Sequence, residues 1–236
     1  MSLIRTVAQT GSTNDDLASL AREGAPEGIW LRAGRQSGGR GRQGREWHSP
    51  PGNLYASTLV RLRPGDPPAP TLALVAAVAL HEVACAFAVV GVTIEIKWPN
   101  DLLVAGAKLS GILLERIDDS IVLGFGVNLA DHPDEIARPA INMGMLGGAP
   151  EPGRFLEALA ASFARWLARW RDEGLEPIRE RWLAAAHPIG TALSTHIAGG
   201  ARIEGLFDGL DENGSLRLRL PDGTAQMIHA GDVFLM

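Results

Sequence analysis

TIEIKWPNDLLVAGAKLSGILLERIDDSIVLGFGVNLA, residues 93–130, is the stretch that decides the fold. Its apolar residues fall in short runs rich in β-formers, separated by turn-forming dipeptides, which is the signature of strands joined by tight connections. Thr93–Trp98 reads as one strand and Leu102–Val104 as the next. Ala105-Gly106-Ala107 reads as a turn, Lys108–Arg116 as the returning strand, Asp118-Asp119 as a second turn and Ile121–Leu129 as a further strand. The result is an antiparallel meander. Glycines within strands mark a close approach of another backbone or a ligand. Gly111, Gly124 and Gly126 are therefore expected to line one floor, with Lys97, Asp101, Lys108 and Asn128 supplying polar groups around it.

Upstream, residues 3–9 (LIRTVAQ) read as a first strand, broken by Gly11-Ser12-Thr13-Asn14, which caps a helix over Asp15–Glu23. Ile29–Ala33 and Asn53–Leu62 read as strands, and the proline-rich residues 63–70 as a linker into a long helix, Thr71–Val89. Downstream, residues 131–153 are loop-rich, and Phe155–Asp172 and Glu176–Ala186 are amphipathic helices whose Trp166, Trp170 and Trp182 face the core. His187-Pro188-Ile189-Gly190 marks a boundary, beyond which short strands are separated by Asp211-Glu212-Asn213-Gly214 and Pro221-Asp222-Gly223 turns. The expected architecture is α+β. A mixed or antiparallel sheet backed by helices occupies residues 1–187, and a small β-barrel, 188–236, leans on it.

Composition narrows the function. The chain is 46% apolar with a net charge of −5, so nothing in its global balance points to DNA or an anionic membrane. The N-terminus lacks a signal-peptide apolar core, and the apolar run 71–92 is interrupted by His81 and Glu82. A buried helix and a cytoplasmic location are expected. The single cysteine, Cys85, excludes an internal disulfide, and its apolar neighbours suggest a buried, inert thiol.

The charge is distributed unevenly. Residues 31–45 hold Arg32, Arg35, Arg40, Arg42 and Arg45 and no acid. Within them, residues 39–45 read Gly-Arg-Gly-Arg-Gln-Gly-Arg, followed by Trp47. Glycine allows tight bending and close approach, and arginine offers a fixed fork for phosphate or carboxylate oxygens. Gly39, Gly41 and Gly44 match G-x-G-x-x-G, but residues 46–52 (EWHSPPG) cannot open the helix that a dinucleotide-binding fold requires. No His-Arg-Asp or Asp-Phe-Gly motif accompanies the loop as it would in a kinase. An anion-binding loop is the remaining reading, made mobile without ligand by mutual repulsion and glycine entropy. Of the 22 Lys and Arg residues only Lys97 and Lys108 are lysine, and both fall in the meander.

Taken together, GRGRQGREW at 39–47, KWPNDLL at 97–103, KLSGILLE at 108–115 and GFGVNLA at 124–130 resemble biotin–protein ligases of the biotin–acetyl-CoA-carboxylase type. The resemblance spans nearly the whole chain. It implies a catalytic domain of the class II synthetase kind with an SH3-like C-terminal barrel, biotin, ATP and Mg²⁺ as ligands, and a biotin carrier protein as partner. The winged helix of the DNA-binding members has no counterpart, so a DNA-bound regulator is not implied. An exposed sheet edge or the meander could support a homodimer.

The resemblance also implies roles. The biotin carboxylate attacks the α-phosphate of ATP, and a carrier lysine then attacks the resulting adenylate. Arg40, Arg42, Arg45 and Lys108 would neutralise the two anions, with Arg40, Arg42 and Lys108 carrying the catalysis. Ser12, Thr13, Asn14 and Gln36 fall where the family places biotin contacts, and Gly111 lets backbone enclose the ligand. Trp47 offers a surface for adenine, and Gly39, Gly41 and Lys97 complete the ligand-binding set. Asn100 and Asn128 are candidate nucleotide contacts, and Asp101 a candidate Mg²⁺ contact, direct or through water. Lipoate–protein ligase is the nearest rival, and a non-enzymatic biotin-binding module the rival from another class.

Overall fold

Alternation along the meander builds the centre of the molecule. In a computed structural model describing residues 3–133, 139–196, 202–229 and 231–236, Ala107–Ile117 (β6) and Ser120–Val127 (β7) form a long antiparallel hairpin. Because side chains alternate across a strand, Leu123, Phe125 and Val127 face one side of the sheet, and Val122, Gly124 and Gly126 face the other. The hairpin lies within a seven-stranded sheet of order β1-β2-β3-β7-β6-β5-β4. The remaining five are β1 (Ile4–Val7), β2 (Trp30–Ala33), β3 (Leu54–Arg61), β4 (Glu95–Lys97) and β5 (Asp101–Val104). Only the β1–β2 pair is parallel, so the sheet is mixed.

One face is covered by helices α2 (Leu72–Phe87) and α3 (Pro152–Glu173), with α4 (Glu176–Leu183) at their ends. α2 is apolar nearly all round because it is buried between α3 and the sheet. A helical run including it, Ala69–Phe87, is long and apolar enough to cross a membrane, but 67% of its window is buried inside the fold, as a core helix requires. Trp30, Phe125 and Phe163 form an edge-on aromatic cluster between α3 and the sheet. Trp166, Trp170 and Trp182 are buried as their helical spacing indicates. Trp166 Nε1 donates to Glu82, and Trp170 Nε1 donates to Thr71.

Among the described residues, α1 (Thr13–Arg22) is the α-helix on the other face. Ser12 caps it, accepting from the Asp15 N–H, and Leu17, Ala18 and Ala21 seal a small core against Leu31, Leu59 and Val122. α1 covers only part of that face. Beyond its N-terminus the glycine-lined part of β6 and β7 stays open, and there the cavity forms.

The C-terminal strands β8 (Ala192–His196), β9 (Arg202–Leu210), β10 (Leu216–Arg219), β11 (Ala225–Ile228) and β12 (Val233–Leu235) form an antiparallel sheet in the order β11-β10-β9-β8-β12. Among the described residues β11 and β12 do not pair, so the expected barrel is an open five-stranded sheet. This sheet shares its core with the rest: Phe207 packs on Trp182, and Trp98 Nε1 donates to the Gly214 carbonyl. One expectation is corrected. Cys85 is exposed, because it lies on the side of the last turns of α2 that the sheet and α3 leave uncovered.

Phe163 has few ways to be replaced, since its ring fills the space between Trp30 and Phe125. Changing Phe163 to Ala is expected to cost about 3–5 kcal/mol. A urea titration would show it as a lower midpoint at unchanged slope.

Candidate functional site

Three glycines form the floor of the cavity. Gly111 and Gly126 are register partners across β6 and β7. A Cβ on Gly126 would sit 2.5 Å from the Trp47 ring, and one on Gly111 3.2 Å from it. The indole therefore lies flat over the pair. A Cβ on Gly124 would meet the Asn14 side chain at 2.3 Å. Glycine at these positions is required by close approach, as the sequence suggests, but the approaching groups belong to the protein.

The two lysines stand beside this floor, around one carboxylate. In the β4–β5 hairpin Lys97 is the register partner of Asp101, which places their side chains side by side. Lys97 Nζ lies 3.5 Å from Asp101 Oδ2, and Lys108 Nζ, from the next strand, 2.7 Å from Oδ1. Burial pushes the Asp101 carboxyl up, but Lys108 and Lys97 more than offset this and hold it below the usual carboxylate range. Lys108 also stands over the Trp47 ring, 5.4 Å from its centroid. Both oxygens of Asp101 thus face ammonium groups. A divalent cation there would meet two positive charges, and no cluster of three acidic, His or Cys side chains exists among the described residues. Asp101 is not suited to hold Mg²⁺; it is the anchor of the lysines.

The glycine–arginine loop crosses the mouth. Residues 31–45 contain no acid, yet tertiary structure brings three to the arginines. Arg40 makes paired hydrogen bonds to Asp15 at 2.6 and 2.5 Å and reaches Glu115 at 3.0 Å. Hydrogen bonds from Arg40 outweigh partial burial and lower the Asp15 pKa. Arg45 contacts Asp232 at 2.6 Å, and Arg42 lies 3.6 Å from the same carboxylate and donates to the Gly231 carbonyl. The repulsion expected within the loop is offset by these pairs. Only Gln43 and Gly44 of the loop take left-handed backbone. Glu115 was legible in principle, because period-two alternation puts it on the face of Gly111. Nothing local marks Asp232.

At the α1 end, Gln36 accepts from the Thr13 N–H and hydroxyl, and the Ser57 hydroxyl donates to the Asn14 side-chain carbonyl oxygen at 2.6 Å and lies 2.7 Å from the Thr13 hydroxyl. Asn14 in turn donates to Glu115. Asn100 donates to the Ile112 carbonyl and accepts a long bond from Arg42. Asn128 spends its amide on the Lys108 and Ile141 carbonyls, fixing the backbone that carries Lys108. The sequence-derived residues Ser12, Thr13, Asn14, Gln36, Arg40, Gly41, Arg42, Arg45, Trp47, Lys97, Asn100, Asp101, Lys108, Gly111 and Asn128 all line one cavity of about 490 Å³. Gly39 does not. Its α-carbon is packed against Ser49, Gln36 and the Trp47 carbonyl, so it shapes the loop from behind.

Residues 7–129 match the biotin/lipoate A/B protein ligase family, and residues 196–236 match the biotin protein ligase C-terminal domain. The chain belongs to the biotin/lipoate A/B protein ligase family. It is 40% identical to a biotin–[acetyl-CoA-carboxylase] ligase of Paracoccus denitrificans, covering 97% of this chain and 98% of that one. A Mycobacterium tuberculosis protein of the same description is 35% identical over 96% of this chain and 86% of its own length. The fold superposes on a biotin protein ligase from Aquifex aeolicus in complex with biotin and ATP, with a TM-score of 0.89, 23% identity and full coverage of both chains.

Removing the Asp101 charge strands two ammonium groups. Asp101→Asn is expected to lose about 3–5 kcal/mol at neutral pH, measured by chemical denaturation. Because the folded carboxyl titrates below its unfolded value, its stabilisation is complete above about pH 4 and fades as pH falls through the folded pKa. The variant should therefore lose less stability than the wild type on acidification below about pH 4.

Proposed function

We propose that this chain is an ATP-dependent biotin–protein ligase acting on the biotin carrier of acetyl-CoA carboxylase. The observation that carries the reading is the cavity itself, in which five cationic side chains face a flat glycine floor and a small polar cluster closes one end. Two anions, a carboxylate and a triphosphate, must meet for an acyl-adenylate to form, and each cation lowers the cost of that approach. The chain needs no nucleophile of its own, since the carboxylate and the carrier amine supply both.

In the first step the biotin carboxylate attacks the α-phosphorus and pyrophosphate leaves. Lys108, held upright by Asp101 and the Trp47 ring, is placed to follow the charge from the carboxylate to the phosphoryl oxygens. Arg40, Arg42 and Arg45 close the mouth and keep water from the adenylate. In the second step the carrier lysine attacks the acyl carbon, AMP departs, and the amide forms with loss of a proton. Mg²⁺ bound to the nucleotide would reduce the charge of the triphosphate, with no carboxylate cluster of the described residues set to hold it. Ser12, Thr13, Asn14 and Gln36 form the recognition end. A ureido head offers donors and acceptors to match them, whereas a dithiolane ring offers neither, which favours biotin over lipoate. Residues 1–187 and 188–236 act as two modules of one enzyme, located in the cytoplasm.

Biotin-dependent ATP–pyrophosphate exchange tests this reading directly: exchange with biotin and none with lipoate is expected, and binding of biotin without exchange would reduce the protein to a binding module. Lys108→Ala should slow exchange by about 10²–10³-fold. Arg42→Gly should release free biotinyl-adenylate into solution during turnover, detected by chromatography of the medium.

A further inference from the structure

Arg42 and Arg45 carry like charges at the mouth of the cavity, and their counter-charge comes from outside the main sheet. Of the acids lining the cavity, Asp101 is committed to Lys97 and Lys108, and Glu46 is exposed. Asp232 is the third, and it lies at the start of β12, almost two hundred residues from the loop in sequence. Its carboxylate is mostly buried, contacts Arg45 at 2.6 Å and stands 3.6 Å from Arg42.

Its position is set by the backbone. Thr195 donates its hydroxyl to the Asp232 carbonyl at 2.9 Å, and the next residue, Val233, is the register partner of Thr195. Gly231 takes a φ of 153°, and a Cβ there would sit 3.0 Å from both the His196 carbonyl and the Thr195 hydroxyl. Its carbonyl also accepts from Arg42. The C-terminal sheet thus delivers one carboxylate and one carbonyl to the two guanidinium groups.

We infer that Asp232 is a stand-in anion for the nucleotide, holding Arg42 and Arg45 over the cavity before nucleotide binds and yielding them when the triphosphate arrives. The inference rests on the ligase reading for the identity of the incoming anion. A triphosphate carries more charge than one carboxylate and accepts bidentate arginine bonds at several oxygens, so exchange is favourable. The carboxylate is not neutral in the outcome, however. It competes for the arginines and repels the polyanion, which weakens nucleotide binding while protecting the loop from opening in its absence.

Asp232→Asn is therefore expected to lower the KM for ATP about three- to tenfold in the exchange assay, less at high salt. Without nucleotide the same variant should be cut by trypsin after Arg42 or Arg45 faster than the wild type, and added ATP should remove the difference. Asp232→Glu should restore slow cleavage, and Glu212→Gln, an exposed acid in the β9–β10 turn, should leave both readouts at wild-type values and so exclude a net-charge effect. An Asp232→Asn KM at or above wild type, or unchanged cleavage without nucleotide, overturns the inference. A wild-type protein with no biotin-dependent exchange defeats the ligase reading instead, and the cleavage comparison with and without ATP still tests the contact.

Discussion

Asp101 is a buried carboxylate at the edge of the cavity that holds both lysines of the chain. An isolated charge in that position would be expelled or neutralised. Two ammonium groups keep it ionised, and it keeps them aimed. The arrangement depends on strand register. Lys97 and Asp101 face each other across the β4–β5 hairpin, and Lys108 pairs with Leu103 beside the register shift in the β5–β6 ladder. The Asn128 bonds to the backbone around Lys108 then fix the height of that side chain above the floor. A slip of one residue in any of these ladders would turn a lysine to the opposite face and leave the carboxylate unpaired.

From this anchor the site extends in two directions. Toward α1, the polar groups saturate one another: Thr13, Gln36, Ser57, Asn14 and Glu115 form a connected chain. Such a network is stiff and already holds donors and acceptors in place, so a ligand that replaces some of these bonds meets little reorganisation. Toward the solvent, Trp47 lies on glycine and the arginine loop lies over it. That loop is closed by acids borrowed from three places, α1, β6 and the C-terminal sheet. The C-terminal strands therefore do more than extend the core through Phe207 and Trp182. They supply the charge that lets the mouth of the cavity close.

The meander, the helices and the tryptophan-bearing core were legible because period-two and period-3.6 apolar patterns are local properties. Gly111, Gly124 and Gly126 were legible as points of close approach for the same reason, since a strand interior gives glycine no other advantage. Asn128 and Asp101 line the cavity, and no local pattern shows that within the protein Asn128 holds the Lys108 and Ile141 carbonyls and Asp101 holds Lys97 and Lys108. Cys85 was read as buried from its apolar neighbours, but a helix has an outer face even in an apolar stretch, and its place on that face depends on what packs beside it. Gly39 belongs to the loop motif but packs against Ser49 and Gln36 behind the cavity, a distinction no spacing rule contains.

The sequence by itself determined the elements, the face each presents to the core, and the inventory of chemistry: a cationic glycine loop, two lysines, and glycines within strands. These follow from residue type and period, which act over a few residues. Only the tertiary structure decided which acids answer which cations. Asp15, Glu115 and Asp232 are scattered along the chain, and charge pairing depends on distance in space, set by strand order and by the docking of the C-terminal sheet.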